Sequence, residues 1–274
     1  MIAIIQIIFT TIVTLIYALE VVDFSNWLLI LSLIGFYIGI NILFTVLTIT
    51  LFFVIVLLTK KVDQKAIWKH NLYMVFANYY FYSVLRVKLI IKGKENLPKD
   101  QNFVVYSNHI EYNDPLIIKS VYKNTALAFI AKKPLFDYPL IRDVLESSGC
   151  IPIGPLADRS SLESILQAIK QVKDGQAMAM FPEGKRSYSN EMNPFKPGAF
   201  KVASKAKADI SLVTLYDFHK MNVHPIRIKK VKVYLSILPL IKYEDYKDMD
   251  TVKISQMAFD KINEELNDYK NIKS

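Results

Sequence analysis

Apolar residues crowd the start of the chain. Nearly every position from 1 to 19 is apolar, a short polar connector interrupts at 20–26, and a second apolar run covers 27–59. A membrane crossing needs about 20 apolar residues at 1.5 Å rise, so the first run just suffices. The second, at roughly 33 residues, is too long for one upright crossing. It is expected to tilt, kink or emerge, and Gly35, Gly39 and Asn41 stand where a kink or a helix contact would suit. A cleaved leader fits poorly, since no basic segment precedes the first run and no small-residue cleavage site precedes Glu20. Lys60, Lys61, Lys65 and Lys69 follow the second run, whereas the connector carries Glu20 and Asp23. The positive-inside tendency therefore puts Lys60 onward in the cytoplasm, whether the two runs cross the bilayer or dip into one leaflet.

Beyond this anchor, the pattern changes. Residues 67–84 place Ile67, Tyr73, Val75, Phe76, Tyr80 and Val84 as an amphipathic helix would, packed on the core or on the membrane surface. Short apolar runs then alternate with helical periodicity. Strands are expected at 87–91, 103–106, 127–131, 177–181, 210–216 and 231–237, several too continuously apolar to have a wet face. Helices are expected at 115–121, 139–147, 160–172, 199–206 and 252–269. The alternation predicts an α/β fold, a mostly buried mixed sheet flanked by helices and preceded by an N-terminal membrane helical hairpin. The expected division is 1–60 as anchor, 61–86 as amphipathic connecting helix, and 87–274 as a cytoplasmic α/β domain.

Charge and composition narrow the partners. The net charge of +9 suits nucleic acid, an anionic membrane surface or an acidic substrate. The hydrophobic start favours the last two, and the aromatic and basic interleaving of a nucleic-acid surface is missing. The single cysteine, Cys150, cannot form an internal disulfide, and four scattered histidines lack partners at ligand spacing, which argues against a zinc site.

Two segments carry candidate chemistry. Ser107-Asn108-His109-Ile110-Glu111-Tyr112-Asn113-Asp114-Pro115 follows a buried strand and precedes a helix. Asp114 or Asn113 suits the N-cap and Pro115 the first helical turn. A turn there can also bring the Asp114 carboxylate to the His109 imidazole, fixing its tautomer and leaving the other nitrogen to take a proton from a hydroxyl. A His–Asp dyad suffices when the substrate's own alcohol is the nucleophile, which accords with the lack of a Gly-x-Ser-x-Gly elbow. The second segment is Phe181-Pro182-Glu183-Gly184-Lys185-Arg186-Ser187. Arg186 offers a fork of donors matched to phosphate oxygens, Lys185 adds a point charge, and Glu183 can orient Arg186 or hold a substrate hydroxyl.

Asn-His-x-x-x-x-Asp-Pro, then Phe-Pro-Glu-Gly-x-Arg-Ser, then Phe195-x-x-Gly198 resemble the glycerolipid acyltransferase family, which includes the 1-acylglycerol-3-phosphate acyltransferases. The blocks at 131–136 and 149–153 add to the likeness, which covers roughly 88–237. The resemblance implies an O-acyltransferase of phospholipid biosynthesis. His109 would be general base supported by Asp114, with Glu183, Gly184 and Arg186 shaping the acceptor site and Arg186 on its phosphate. The implied acceptor is lysophosphatidic acid, giving phosphatidic acid. The implied donor is an acyl thioester of coenzyme A or acyl carrier protein, or an acyl phosphate, with no bound cofactor. The chain departs from the family's pattern at Lys185, where threonine is common. It departs again after Ile153, where Gly154-Pro155 replaces an expected arginine that Arg159 could supply. Ser211 and Thr214 stand where strand prolines are expected. These departures leave open another lysophospholipid or an amino-acid lipid as acceptor, and, from another class, a catalytically silent lipid-binding or scaffold protein.

Overall fold

The computed structural model describes residues 1–22, 26–154, 159–221 and 229–273; Asp23 and Pro155 lie outside them. Helix α1 (Ile2–Val21) and helix α2 (Trp27–Thr59) form an antiparallel hairpin, both long and apolar enough to cross a membrane. Most of their side chains face outward, with Ile4, Ile8, Leu15, Ile34, Ile38 and Leu47 all more than half exposed. Several of the polar side chains turn inward instead, Thr10 and Thr48 among them. Gln6 Nε2 donates to the Asn41 carbonyl and side-chain oxygens, both at 3.2 Å, and the Tyr17 and Phe36 rings stack at 4.2 Å. Asn41 thus makes a helix contact, while Gly35 and Gly39 face open space.

At 1.5 Å per residue, α2 is about 50 Å long. It is unbroken, and its C-terminal end packs on the rest of the molecule. Val56 is buried, Phe52 packs edge-on against Tyr73, and Thr59 Oγ1 meets Tyr73 OH at 2.8 Å. Tyr73 belongs to α3 (Ile67–Tyr79), which continues through a single π-helical stretch, Tyr80–Val84. α3 buries Tyr73, Met74 and Tyr79, with Tyr73 and Tyr79 set against the hairpin, while Ile67 and Trp68 remain exposed.

Among the described residues seven strands follow: β1 (Val87–Lys92), β2 (Phe103–Ser107), β3 (Ala128–Lys132), β4 (Ile151–Ile153), β5 (Met178–Met180), β6 (Asp209–Tyr216) and β7 (Val231–Ile237). They form one sheet in the order β1-β7-β6-β2-β5-β3-β4, parallel throughout except for the antiparallel pair β6–β7. Strand β4 was not expected. It is three residues long, holds Pro152, and lies at the sheet edge, where a missing backbone N–H is tolerated.

Both faces are covered, as the continuous apolar runs require. Val104 and Tyr106 of β2 face α6 (Arg159–Lys173), α7 (Lys201–Ala206) and α9 (Thr251–Lys273) through Ala168, Ala203 and Ile262. Phe103 and Val105 point the other way, into a cluster with Phe81 and with Ile117 and Ile118 of α4 (Asp114–Val121). Between β3 and β4 lies α5 (Pro139–Ser147), which packs against α2. The chain runs from β2 out to β3 and β4, returns through β5, and crosses to β6 on the far side of β2. Crevices beyond the carboxyl ends of strands at such a reversal are the usual place for ligands in open α/β sheets.

Candidate active site

The two motif segments leave the carboxyl ends of β2 and β5, which are adjacent and parallel, with Tyr106 paired to Met180. The fold itself therefore brings them together. Asn108 ties the first loop to β6: its side-chain amide donates to Leu215 O at 2.9 Å and accepts from Leu215 N at 2.8 Å, standing in for a peptide unit.

The next residue carries the imidazole. His109 Nδ1 lies 2.9 Å from Asp114 Oδ2, and the same oxygen accepts from Ile110 N at 2.6 Å and Glu111 N at 2.8 Å. The helix start follows expectation in its position, though not through a side-chain capping bond. Asn113 occupies the N-cap of α4 without a side-chain capping bond, and the Asp114 carboxylate turns back to the loop. Three donors gathered by the loop outcompete the helix terminus, while Pro115 sits in the first turn as expected. Asp114 is fully buried, and desolvation raises its pKa against the pull of His109 and the two amides. With Asp114 ionised, Nδ1 carries the hydrogen and Nε2 is the nitrogen with a lone pair. The imidazole stacks on Phe181 at 4.0 Å and 17° and keeps its side chain 16% exposed, so it is held by one face yet reachable.

Glu183 is a brace. It is buried, and its Oε1 accepts from His109 N at 2.7 Å; its Oε2 accepts from both Asn193 N and Asn193 Nδ2 at 2.7 Å. Burial raises its pKa, opposed by those bonds. Both oxygens are thus committed to joining the His109 loop, its own turn and the segment at 193. Ser187 N to His109 O at 2.8 Å and Tyr188 N to Ile110 O at 3.3 Å close the same seam. Gly184 adopts φ +71°, so its conformation favours glycine; a Cβ there would meet only the movable end of the Lys196 side chain, Nζ at 2.9 Å.

Arg186 lies across Tyr112, with Cζ 3.3 Å from the ring centroid, and 5.1 Å from the ring of Tyr188. Lys185 is exposed on the same turn. His109 and Asp114 on one loop and Glu183, Gly184 and Arg186 on the other are therefore joined side by side beyond the sheet. Arg159 heads α6 instead, 92% exposed, with Nε 3.2 Å from Glu163. Sequence reasoning missed Asn108, Tyr112, Phe181, Asn193 and Lys196 as parts of this site. The first three lie inside the motif blocks, and adjacency to His109 or Arg186 was the only signal they gave.

Comparison with known proteins agrees with this geometry. A sequence model of the acyltransferase family matches residues 88–229. The 1-acyl-sn-glycerol-3-phosphate acyltransferase of Borreliella burgdorferi is 30% identical over 177 residues, covering 64% of this chain and 70% of that one. A chloroplastic 1-acyl-sn-glycerol-3-phosphate acyltransferase of Arabidopsis thaliana is 33% identical over 129 residues, 47% of this chain and 36% of that one, so the chain spans little more than a third of the plant protein. The crystal structure of the 1-acyl-sn-glycerophosphate acyltransferase PlsC from Thermotoga maritima shares the fold, with a TM-score of 0.64 at 20% identity over 78% of this chain and 87% of that one.

Proposed function

Because the chain belongs to the acyltransferase family, we propose that it transfers an acyl group from a thioester to the free sn-2 hydroxyl of 1-acylglycerol 3-phosphate, giving phosphatidic acid. The observation that carries this reading is the Asp114 carboxylate on His109 Nδ1 at 2.9 Å, which makes Nε2 the basic nitrogen. The acceptor hydroxyl gives its proton to Nε2 as its oxygen attacks the thioester carbonyl. The tetrahedral oxyanion collapses, the carbon–sulfur bond breaks, and the departing thiolate takes the proton from the imidazolium. Asp114 stabilises the imidazolium between those steps. Arg186 holds the acceptor's phosphate in its planar fork of N–H donors, with Lys185 as a further cation. Glu183 fixes the main chain of His109, and Arg159, paired with Glu163, enters no step.

The hairpin of α1 and α2 anchors the chain in the cell membrane, with the catalytic domain on the cytoplasmic side. Support comes from the outward apolar faces of both helices and from Lys60, Lys61 and Lys65 just beyond α2. The donor is an acyl thioester of coenzyme A or acyl carrier protein.

The test is acyl transfer by the purified full chain, with lysophosphatidic acid as acceptor and the product identified by mass spectrometry. Wild type is expected to yield phosphatidic acid. His109→Ala should reduce turnover by about 10²–10⁴-fold, the usual worth of a general base, without releasing the chain from membranes. Undiminished turnover in that variant would remove the base assignment, and a product other than phosphatidic acid would replace the acceptor.

A further inference from the structure

Two tyrosines at the mouth of the site have no packing reason to be there. Tyr112 is 66% exposed and Tyr188 is 53% exposed, so neither recovers much burial energy, although each presents a ring to the Arg186 guanidinium. They come from different loops, Tyr112 from the one after β2 and Tyr188 from the one after β5, held together by the Tyr188 N to Ile110 O bond at 3.3 Å. Tyr188 also takes φ +56°, a left-handed conformation that a bulky side chain rarely adopts and that the seam of loop hydrogen bonds must maintain.

The consequence falls on the arginine. A guanidinium carries five N–H donors, all in its plane, so a ring against its face immobilises the group and leaves most of them open, while the Tyr112 phenol oxygen lies beside the same cation, which lowers its pKa. Arg186 Nη1 is nevertheless buried with no hydrogen-bond partner among the described residues. That donor awaits an acceptor oxygen. Lys196 Nζ, over Gly184 of the same turn, adds a second positive charge nearby.

We propose that Tyr112 and Tyr188 are specificity-determining positioning residues: they grip Arg186 by its face and turn its N–H edge toward the acceptor, selecting a phosphate-bearing headgroup. The proposal rests on the assignment of Arg186 to the acceptor phosphate. Neither tyrosine touches the reacting atoms; both act through the arginine. Tyr112, at 3.3 Å, carries the larger share.

The experiment measures kcat and KM for lysophosphatidic acid with the full chain in phosphatidylcholine vesicles. Tyr112→Ala should raise KM about 5- to 30-fold and leave kcat within about 2-fold, as loss of a cation–π contact upstream of chemistry requires. Tyr112→Phe keeps the ring over the guanidinium and loses only the phenol's contact, so its KM should lie between those of wild type and Tyr112→Ala. Arg186→Ala should raise KM, and adding Tyr112→Ala to it should raise KM no further, because the tyrosine then has nothing left to hold. An unchanged KM in Tyr112→Ala, a loss confined to kcat, or full additivity with Arg186→Ala overturns the proposal. If Arg186→Ala raises KM and Tyr112→Ala does not, the tyrosine proposal alone fails. If Arg186→Ala leaves KM unchanged, the phosphate assignment fails first.

Discussion

Asp114 gathers three donors on one oxygen while its second, Oδ1, is buried and has no partner among the described residues. This asymmetry allows charge and shape to be separated. Asparagine can put its carbonyl where Oδ2 stands and its amide where Oδ1 stands, keeping all three hydrogen bonds and losing only the charge that stabilises an imidazolium. Asp114→Asn should therefore lower kcat by about 10²–10⁴-fold with KM and thermal midpoint near wild type. A variant with near-normal kcat would show that the carboxylate only shapes the loop. Glu183 allows no such substitution, because both its oxygens accept from amides. Glu183→Gln must aim an NH2 group at an N–H, and one lost bond to a buried donor costs about 1–3 kcal/mol. Its thermal midpoint should fall together with kcat; a fall in kcat alone would mean that the carboxylate contacts substrate. The His–Asp pair was legible from its spacing after a buried strand. The two loop amides, of Ile110 and Glu111, that share the Asp114 oxygen with the imidazole were not, since backbone donors leave no mark in the sequence. The partners of Glu183 were hidden for another reason: they arrive from residues 109 and 193, and local patterning carries no information about them.

Most elements could be read from the chain because their faces are buried so completely: β2 and β6 are apolar on successive positions since helices cover both sides of the sheet. Strand β4 escaped because Pro152 stands in its middle, which argues against a strand anywhere but at a sheet edge, and the π-helical turn after α3 leaves the apolar pattern unchanged. One link between elements could not be anticipated. Lys119 of α4 is buried and donates to His70 Nδ1 of α3 and to Leu127 O, both at 2.6 Å, while His70 Nε2 bonds Gln64 O at 2.7 Å. Burial, the largest cause in each case, lowers His70 to about 3 and Lys119 to about 8. Both groups bind fewer protons folded than unfolded, so each makes stability rise with pH across its own window. For His70 that window runs from about 3 to 6.5, and stability drains away as acid protonates the unfolded chain first. For Lys119 it runs from about 8 to 10.5. The His70 contribution should reach about 1.4 kcal/mol per pH unit. His70→Gln offers a donor to Gln64 O and an acceptor to Lys119 without titrating. Thermal unfolding between pH 7 and 5 should thus show a shallower loss in the variant than in wild type. Equal slopes would mean that the α3–α4 link carries no proton-linked stability.

At the scale of the whole molecule, the C-terminal end of α2 is what joins anchor to catalyst. The apolar run alone could not say what the end of α2 would pack against, because that partner lies far along the chain. The deciding contact is Tyr73. It is buried among the Phe52 ring, Thr59 Oγ1 at 2.8 Å and Ser147 Oγ of α5 at 2.8 Å, so one phenol pins the end of α2 to a helix of the catalytic domain. Gln64 Nε2 on Glu146 O at 2.9 Å reinforces the same corner. Thr59 also bonds its own helix at Ile55 O, so losing the phenol oxygen strands chiefly Ser147, which is buried. Tyr73→Phe keeps the ring packing and should cost about 1–3 kcal/mol of stability. Its functional effect should depend on where the acceptor resides. On the reading proposed above, the anchor sets the height and tilt of the His109 site over the bilayer. A lysophosphatidic acid embedded in vesicles must then meet a site whose orientation has loosened, and its apparent KM should rise several-fold. A short-chain acceptor below its critical micelle concentration approaches from water and should be used as before. Parallel kinetics on the two acceptors decide the matter: a selective rise for the embedded one supports a rigid joint that aims the site, and an equal rise for both would reduce Tyr73 to a stability element.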